Sequence, residues 1–144
     1  MKLFDQLLQE YKNKGTFSFR AGDKLGDKCN APKNKSGIYV VYAVLGNEER
    51  IVYVGSSGSM QNDGQIKHRG GGMYDRIVNG KQFDKSRKSS WPQKMKEQEI
   101  DELRIYWCVT FENEKTNIPK YVEAVLLQEY FDKFAILSYW NKAF

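Results

Sequence analysis

Glu123 is the first residue whose surroundings call for chemistry. Read as a helix at 100° per residue, 121–134 puts Gln128, Glu129, Asp132 and Lys133 on one arc. Ala124, Leu126, Leu127, Tyr130, Phe131 and Phe134 fill the opposite arc, and Glu123 sits at its centre as the only charge. An ionised carboxylate on a buried face needs a cation, a metal, hydrogen-bond donors or a proton. A buried ion pair to an arginine would satisfy it; a catalytic or metal-binding acid on a cleft floor would do so equally, and the second reading is preferred. Two tyrosines form the next set. The runs Gly37-Ile38-Tyr39-Val40-Val41-Tyr42 and Ile51-Val52-Tyr53-Val54-Gly55 flank a turn at Gly46-Asn47. A hairpin there sets Tyr39 and Tyr53 roughly opposite one another, with both rings on one face. Alone, such a pair is ordinary sheet packing.

The elements that must position these residues follow from periodicity and punctuation. Leu3, Phe4, Leu7, Leu8 and Tyr11 predict a helix over 2–13, ended by Lys14-Gly15. Residues 16–36 read as irregular, with Gly22, Gly26, Asn30 and Pro32 as breaks. After the hairpin the chain is polar and glycine-rich to Gly72. A short helix covers 73–79, a lysine-rich loop follows, and Ser90-Trp91-Pro92-Gln93 opens a helix to about Glu99. Leu103–Phe111 reads as a third strand. Pro119 starts the helix that carries Glu123.

Charge is uneven along the chain of 144 residues, whose formal net charge is +5. Residues 65–96 hold nine Lys or Arg against two Asp or Glu, whereas 97–144 hold five against nine. A basic segment in an otherwise balanced chain points to a polyanion, most simply nucleic acid, or else to a solvated lysine-rich surface. No apolar stretch is long enough to span a membrane, and the N-terminus carries Asp5 and Glu10 without a small-residue cleavage site, so no secretory signal is expected. Cys29 and Cys108 make neither a disulfide framework nor a zinc pattern, so a reducing cytoplasm is expected.

Gly37-Ile38-Tyr39 followed by Tyr53-Val54-Gly55 resembles the signature of the GIY-YIG nuclease superfamily. That family orders a hairpin with two tyrosines, a helix with an arginine, a third strand, a helix with a glutamate, and often a C-terminal asparagine. The matching positions are Tyr39, Tyr53, Arg76, Glu123 and Asn141, spanning about residues 36–141. Four departures stand out. Thirteen residues separate the tyrosines, more than the family's usual interval, and valine replaces isoleucine in Tyr-Val-Gly. Ser56–Gly72 reads as an insertion, which makes Arg69 a rival of Arg76; Arg76 is preferred because a helix fixes a guanidinium better than a glycine loop. One turn after the arginine, where many members carry His or Tyr, this chain has Gly80, and its only histidine, His68, lies upstream in the inserted loop beside Lys67.

The resemblance implies an α+β fold, with a small central antiparallel three-stranded sheet flanked by helices. It implies one nuclease-like domain over 1–144: an N-terminal helix and loop extension over 1–35, and a catalytic core over 36–141. It further implies a DNA endonuclease that leaves 5′-phosphate and 3′-hydroxyl ends. Glu123 would hold Mg²⁺ or Mn²⁺, Arg76 would neutralise charge on the phosphate, and Tyr39 would position or deprotonate the attacking water. A tyrosine needs cationic neighbours to act as a base near neutrality, and Lys67 and His68 are the candidates. Tyr53 would orient water or phosphate, and Asn141 would steady the site. Lys67, Arg69, Lys81, Lys85, Arg87 and Lys88 would track the DNA backbone. A catalytic domain with its own insertions is most like the restriction endonucleases of that family. A repair or mobile-element nuclease and a catalytically silent DNA-binding module are the alternatives. The sequence is compatible with a homodimer without requiring one, and no membrane partner is expected.

Overall fold

A period-two pattern inside an unbroken apolar run builds the centre of the molecule, because alternate side chains of a strand face opposite sides and here both sides are covered. The computed structural model describes residues 2–144. In chain order the elements are α1 (Lys2–Leu8), β1 (Lys14–Phe19), α2 (Leu25–Lys28), β2 (Gly37–Leu45) and β3 (Glu48–Ser57). A small hairpin of β4 (Ser59–Met60) and β5 (Ile66–Lys67) comes next, then α3 (Gly72–Asn79). A second small hairpin, β6 (Lys81–Gln82) and β7 (Lys85–Ser86), leads into α4 (Arg87–Glu97), β8 (Glu102–Val109) and α5 (Pro119–Phe134). The fold is α+β, with an antiparallel sheet in the order β1-β8-β2-β3.

Tyr39, Val41 and Ala43 of β2 face a core shared with Met73 and Ile77 of α3 and with Trp91 and Met95 of α4. Ile38, Val40 and Tyr42 face the other core, with Phe4 and Leu8 of α1 and Val122, Leu126 and Leu127 of α5. Helices therefore cover both faces, and β3 is left as an edge. Among the described residues no helix is long and apolar enough to cross a membrane.

The helix expected over 2–13 stops at Leu8, and α2 and the two small hairpins occupy segments expected to be irregular; three further differences bear on the site. The sheet has a fourth strand, β1, where the sequence suggests a helix end and irregular chain. Its Phe17 and Phe19 pair with Ile105 and Leu103 and are buried, so the alternation in Thr16-Phe17-Ser18-Phe19 is a strand signal. Second, α4 begins a turn earlier than Ser90, with Ser86 as its N-cap accepting from the Lys88 amide at 3.3 Å. Third, α5 buries only its N-terminal half. Val122, Glu123, Leu126 and Leu127 are buried, while Phe131 and Phe134 are each 49% exposed.

Candidate functional site

The edge at β3 is where several of the candidate residues meet. Tyr53 comes from the α3/α4 face of the sheet, Glu123 comes from α5 on the other face, and both line an open cleft of about 580 Å³ together with Phe83, Lys120, Trp140 and Asn141. The tyrosines share a face but are diagonal neighbours rather than directly opposite. Tyr39 pairs with Gly55 and Val41 with Tyr53, and the ring centroids lie 6.0 Å apart. Diagonal pairs at this spacing are still in reach for aromatic rings.

Glu123 is only 5% exposed. Its Oε1 accepts a hydrogen bond from Ser56 Oγ and lies 3.5 Å from the exposed Lys120 ammonium. Its partners are therefore a serine and a lysine one turn away, not an arginine. No protein donor reaches Oε2 among the described residues. The Ser56 hydroxyl is a partner that the sequence reading missed, although Ser56-Ser57 directly follows Tyr53-Val54-Gly55 and a buried acid calls for a donor.

Arg76 is half-buried on α3. The Tyr39 and Tyr53 phenols beside it raise its pKa, against the burial that lowers it. Tyr53 is pushed up to about 12, chiefly by burial, with Arg87 and Arg76 pulling the other way. It is a neutral phenol at physiological pH and can donate. Tyr39 is wholly buried, its Oη without a hydrogen-bond partner among the described residues. Gly55 makes room for it, since a Cβ there would stand 2.5 Å from Tyr39 Cζ.

Asn141 ties the C-terminal segment to the sheet edge. Its Oδ1 accepts from the Val54 amide at 2.9 Å, and its Nδ2 donates to the Val54 carbonyl at 3.0 Å. The neighbouring Trp140 amide donates to the Val52 carbonyl at 2.7 Å. Asn141 also takes a hydrogen bond from Ser138 Oγ.

The inserted segment contributes none of the cations beside the tyrosines. Lys67 and His68 are exposed, and His68 Nδ1 is 2.7 Å from Ser36 Oγ. Arg69 is ion-paired with Asp75 at 2.6 Å; this bond and one from Asn79 hold the Asp75 carboxyl below the usual carboxylate range. The two arginines at the tyrosine pair are Arg76 and Arg87. Arg87 is the residue whose expected place is wrong. Expected on the surface as a phosphate contact, it is 0% exposed, because the earlier start of α4 turns it inward. Its guanidinium lies over the rings of Tyr39, Tyr53 and Trp91 at 5.3, 5.4 and 5.2 Å. Lys67, Lys81, Lys85 and Lys88 do remain exposed.

Comparison with protein-family models, curated proteins and solved structures gave no match for this chain.

Proposed function

We propose that this chain is a divalent-metal-dependent DNA endonuclease of the GIY-YIG type. The observation that carries the reading is Glu123, a buried carboxylate on a cleft floor whose Oε2 has no protein donor among the described residues, next to a tyrosine pair flanked by arginine. In this reading β2, β3 and β8 are the family's three-stranded core and β1 belongs to the N-terminal extension.

The donor set fits Mg²⁺ or Mn²⁺. Such hard cations take oxygen ligands, and Mg²⁺ in particular keeps several waters when one or two carboxylates hold it. A single carboxylate in an open cleft offers that. Bound there, the ion would act as a Lewis acid on the scissile phosphate and stabilise the departing 3′-oxygen. Arg76 would pair with the non-bridging oxygens as their charge grows. Tyr53, protonated, would donate to a phosphate oxygen or hold a water. Tyr39 Oη, beside the Arg76 guanidinium and without a hydrogen-bond partner among the described residues, would orient a water that reached it. The exposed lysines 67, 81, 85 and 88 would supply sequence-independent phosphate contacts.

The test is plasmid cleavage with Mg²⁺, with and without chelator, followed by sequencing of the ends. Glu123→Gln should abolish cutting while DNA binding persists, since the amide keeps the shape and its carbonyl can still accept from Ser56. Wild-type-like cutting by this variant would remove Glu123 from the chemistry. Unfolding would make it a structural partner of Ser56.

A further inference from the structure

Arg87 is a buried cation with no carboxylate within ion-pairing distance among the described residues. Taking a guanidinium out of water without a counter-ion is costly, and a methionine or leucine would fill the same space more cheaply. Ring faces and two acceptors only partly offset the loss. Arg87 Nε donates to Gln82 Oε1 at 3.2 Å, and Nη1 donates to the Arg76 carbonyl at 2.9 Å. That carbonyl is one of the last four of α3, which have no intrahelical partner. Among the described residues the remaining nitrogen, Nη2, has no acceptor, and neither Gln82 Nε2 nor Tyr39 Oη has a partner. Unsatisfied buried polar groups are rare and call for a reason. Here one belongs to Arg87 itself, one to Gln82, whose Oε1 it holds, and one to Tyr39, over whose ring its guanidinium lies, and all three can donate.

We infer that Arg87 is a positioning residue of the cleavage reaction. It pins the α3 turn that carries Arg76, and it holds a second positive charge behind the tyrosine pair. This inference rests on the nuclease reading. The Arg76 guanidinium must meet a phosphate whose charge grows as the reaction proceeds. A misplaced turn would forfeit that interaction without weakening DNA binding elsewhere. The charge behind the rings acts through a low-dielectric interior, where water does not screen it. Arg87 touches no solvent, so it contributes nothing directly to DNA affinity.

The experiment compares Arg87→Met, Arg87→Lys, Arg76→Ala and the Arg87→Lys/Arg76→Ala double variant. It measures the cleavage rate at saturating DNA, and DNA affinity separately with Ca²⁺ in place of Mg²⁺. Arg87→Met should slow cleavage by about 30-fold or more, with affinity within about threefold of wild type, as when stabilisation is removed from the transition state and not from the ground state. Arg87→Lys keeps the charge and should recover at least about a third of that loss on a logarithmic scale. In the Arg76→Ala background, Arg87→Lys should cost less than about twofold, because residues acting through one another are not additive. Should Arg87→Met fail to fold, the lysine cycle alone decides. Additive losses, a loss confined to affinity, or a folded Arg87→Met cutting within about threefold of wild type would each overturn the inference. Failure of the wild-type protein to cut would instead overturn the nuclease reading on which it rests.

Discussion

Removing the Asn141 carboxamide should destabilise the fold by an amount the geometry lets us estimate. Val54 is itself fully buried on the edge strand, and its amide and carbonyl are both satisfied by this one side chain, at 2.9 and 3.0 Å. Asn141→Ala strands a donor and an acceptor together. Each buried group left unpaired costs roughly 1–3 kcal/mol, for a ceiling of about 6 kcal/mol. The edge is open on the cleft side, so water can reach part of the gap. Trp140 still anchors the segment through the Val52 carbonyl and its own burial. The expected loss is therefore about 2–4 kcal/mol, a drop of roughly 10 °C in Tm for a chain of this size. Urea denaturation followed by circular dichroism measures it, with Asn141→Asp as control. The aspartate can still accept from the Val54 amide but sets an oxygen against the Val54 carbonyl, so it should be no more stable than the alanine variant by more than about 1 kcal/mol. An unchanged midpoint in Asn141→Ala, together with abolished cleavage, would refute the reasoning: Asn141 would then belong to the reaction and not to the sheet edge.

The other expectations concern cations and thiols. Arg76→Ala should lower the cleavage rate at saturating DNA by about 10² or more with little change in affinity, whereas Arg69→Ala, which breaks only an exposed pair with Asp75, should leave that rate within about threefold. The reverse pattern in single-turnover assays would mean that the inserted hairpin supplies the arginine. Neutralising Lys85 and Lys88 together should weaken binding and flatten its salt dependence by roughly one unit for each phosphate no longer neutralised, with turnover at saturation kept; salt titrations of affinity read this directly. Burial pushes the Cys29 and Cys108 thiols up to about 11, so both should resist a thiol reagent at about pH 8 in the native state and react on unfolding. Rapid labelling of the native protein would contradict their placement.

How far the sequence can be read depends on whether a signal is local. The β2–β3 hairpin, the short helix with Arg76 and the Pro119 helix start all carry their cues within a few residues, and their observed ranges lie close to the expected ones. Glu123 stands out on the helical wheel alone, and its burial depends on the same periodicity. What escapes is set by tertiary context. Strand β1 is stabilised by pairing with β8, a partner on the far side of the hairpin and both central helices in the chain. Arg87 reads as one more lysine-like surface charge until the start of α4 is known, since a shift of one turn decides which way it faces. The donor to Glu123 comes from Ser56, 67 positions distant in the chain, which no spacing rule links to it.

The two glycines of the tyrosine hairpin, Gly37 and Gly55, are each dictated by a neighbour across the ladder or beside it. Any side chain at Gly37 would drive into the Cys108 carbonyl of the adjoining strand, and one at Gly55 would occupy the volume taken by the Tyr39 and Tyr53 rings. The hairpin is in this sense an interlock, in which the size of one residue dictates the absence of another across the ladder. For protein engineering the consequence is practical. A library that varies position 39 while holding Gly55 fixed samples cavities, and one that varies position 55 while holding Tyr39 fixed samples collisions. New side chains at position 55 need matching changes at both 39 and 53 if the sheet that presents them is to be kept.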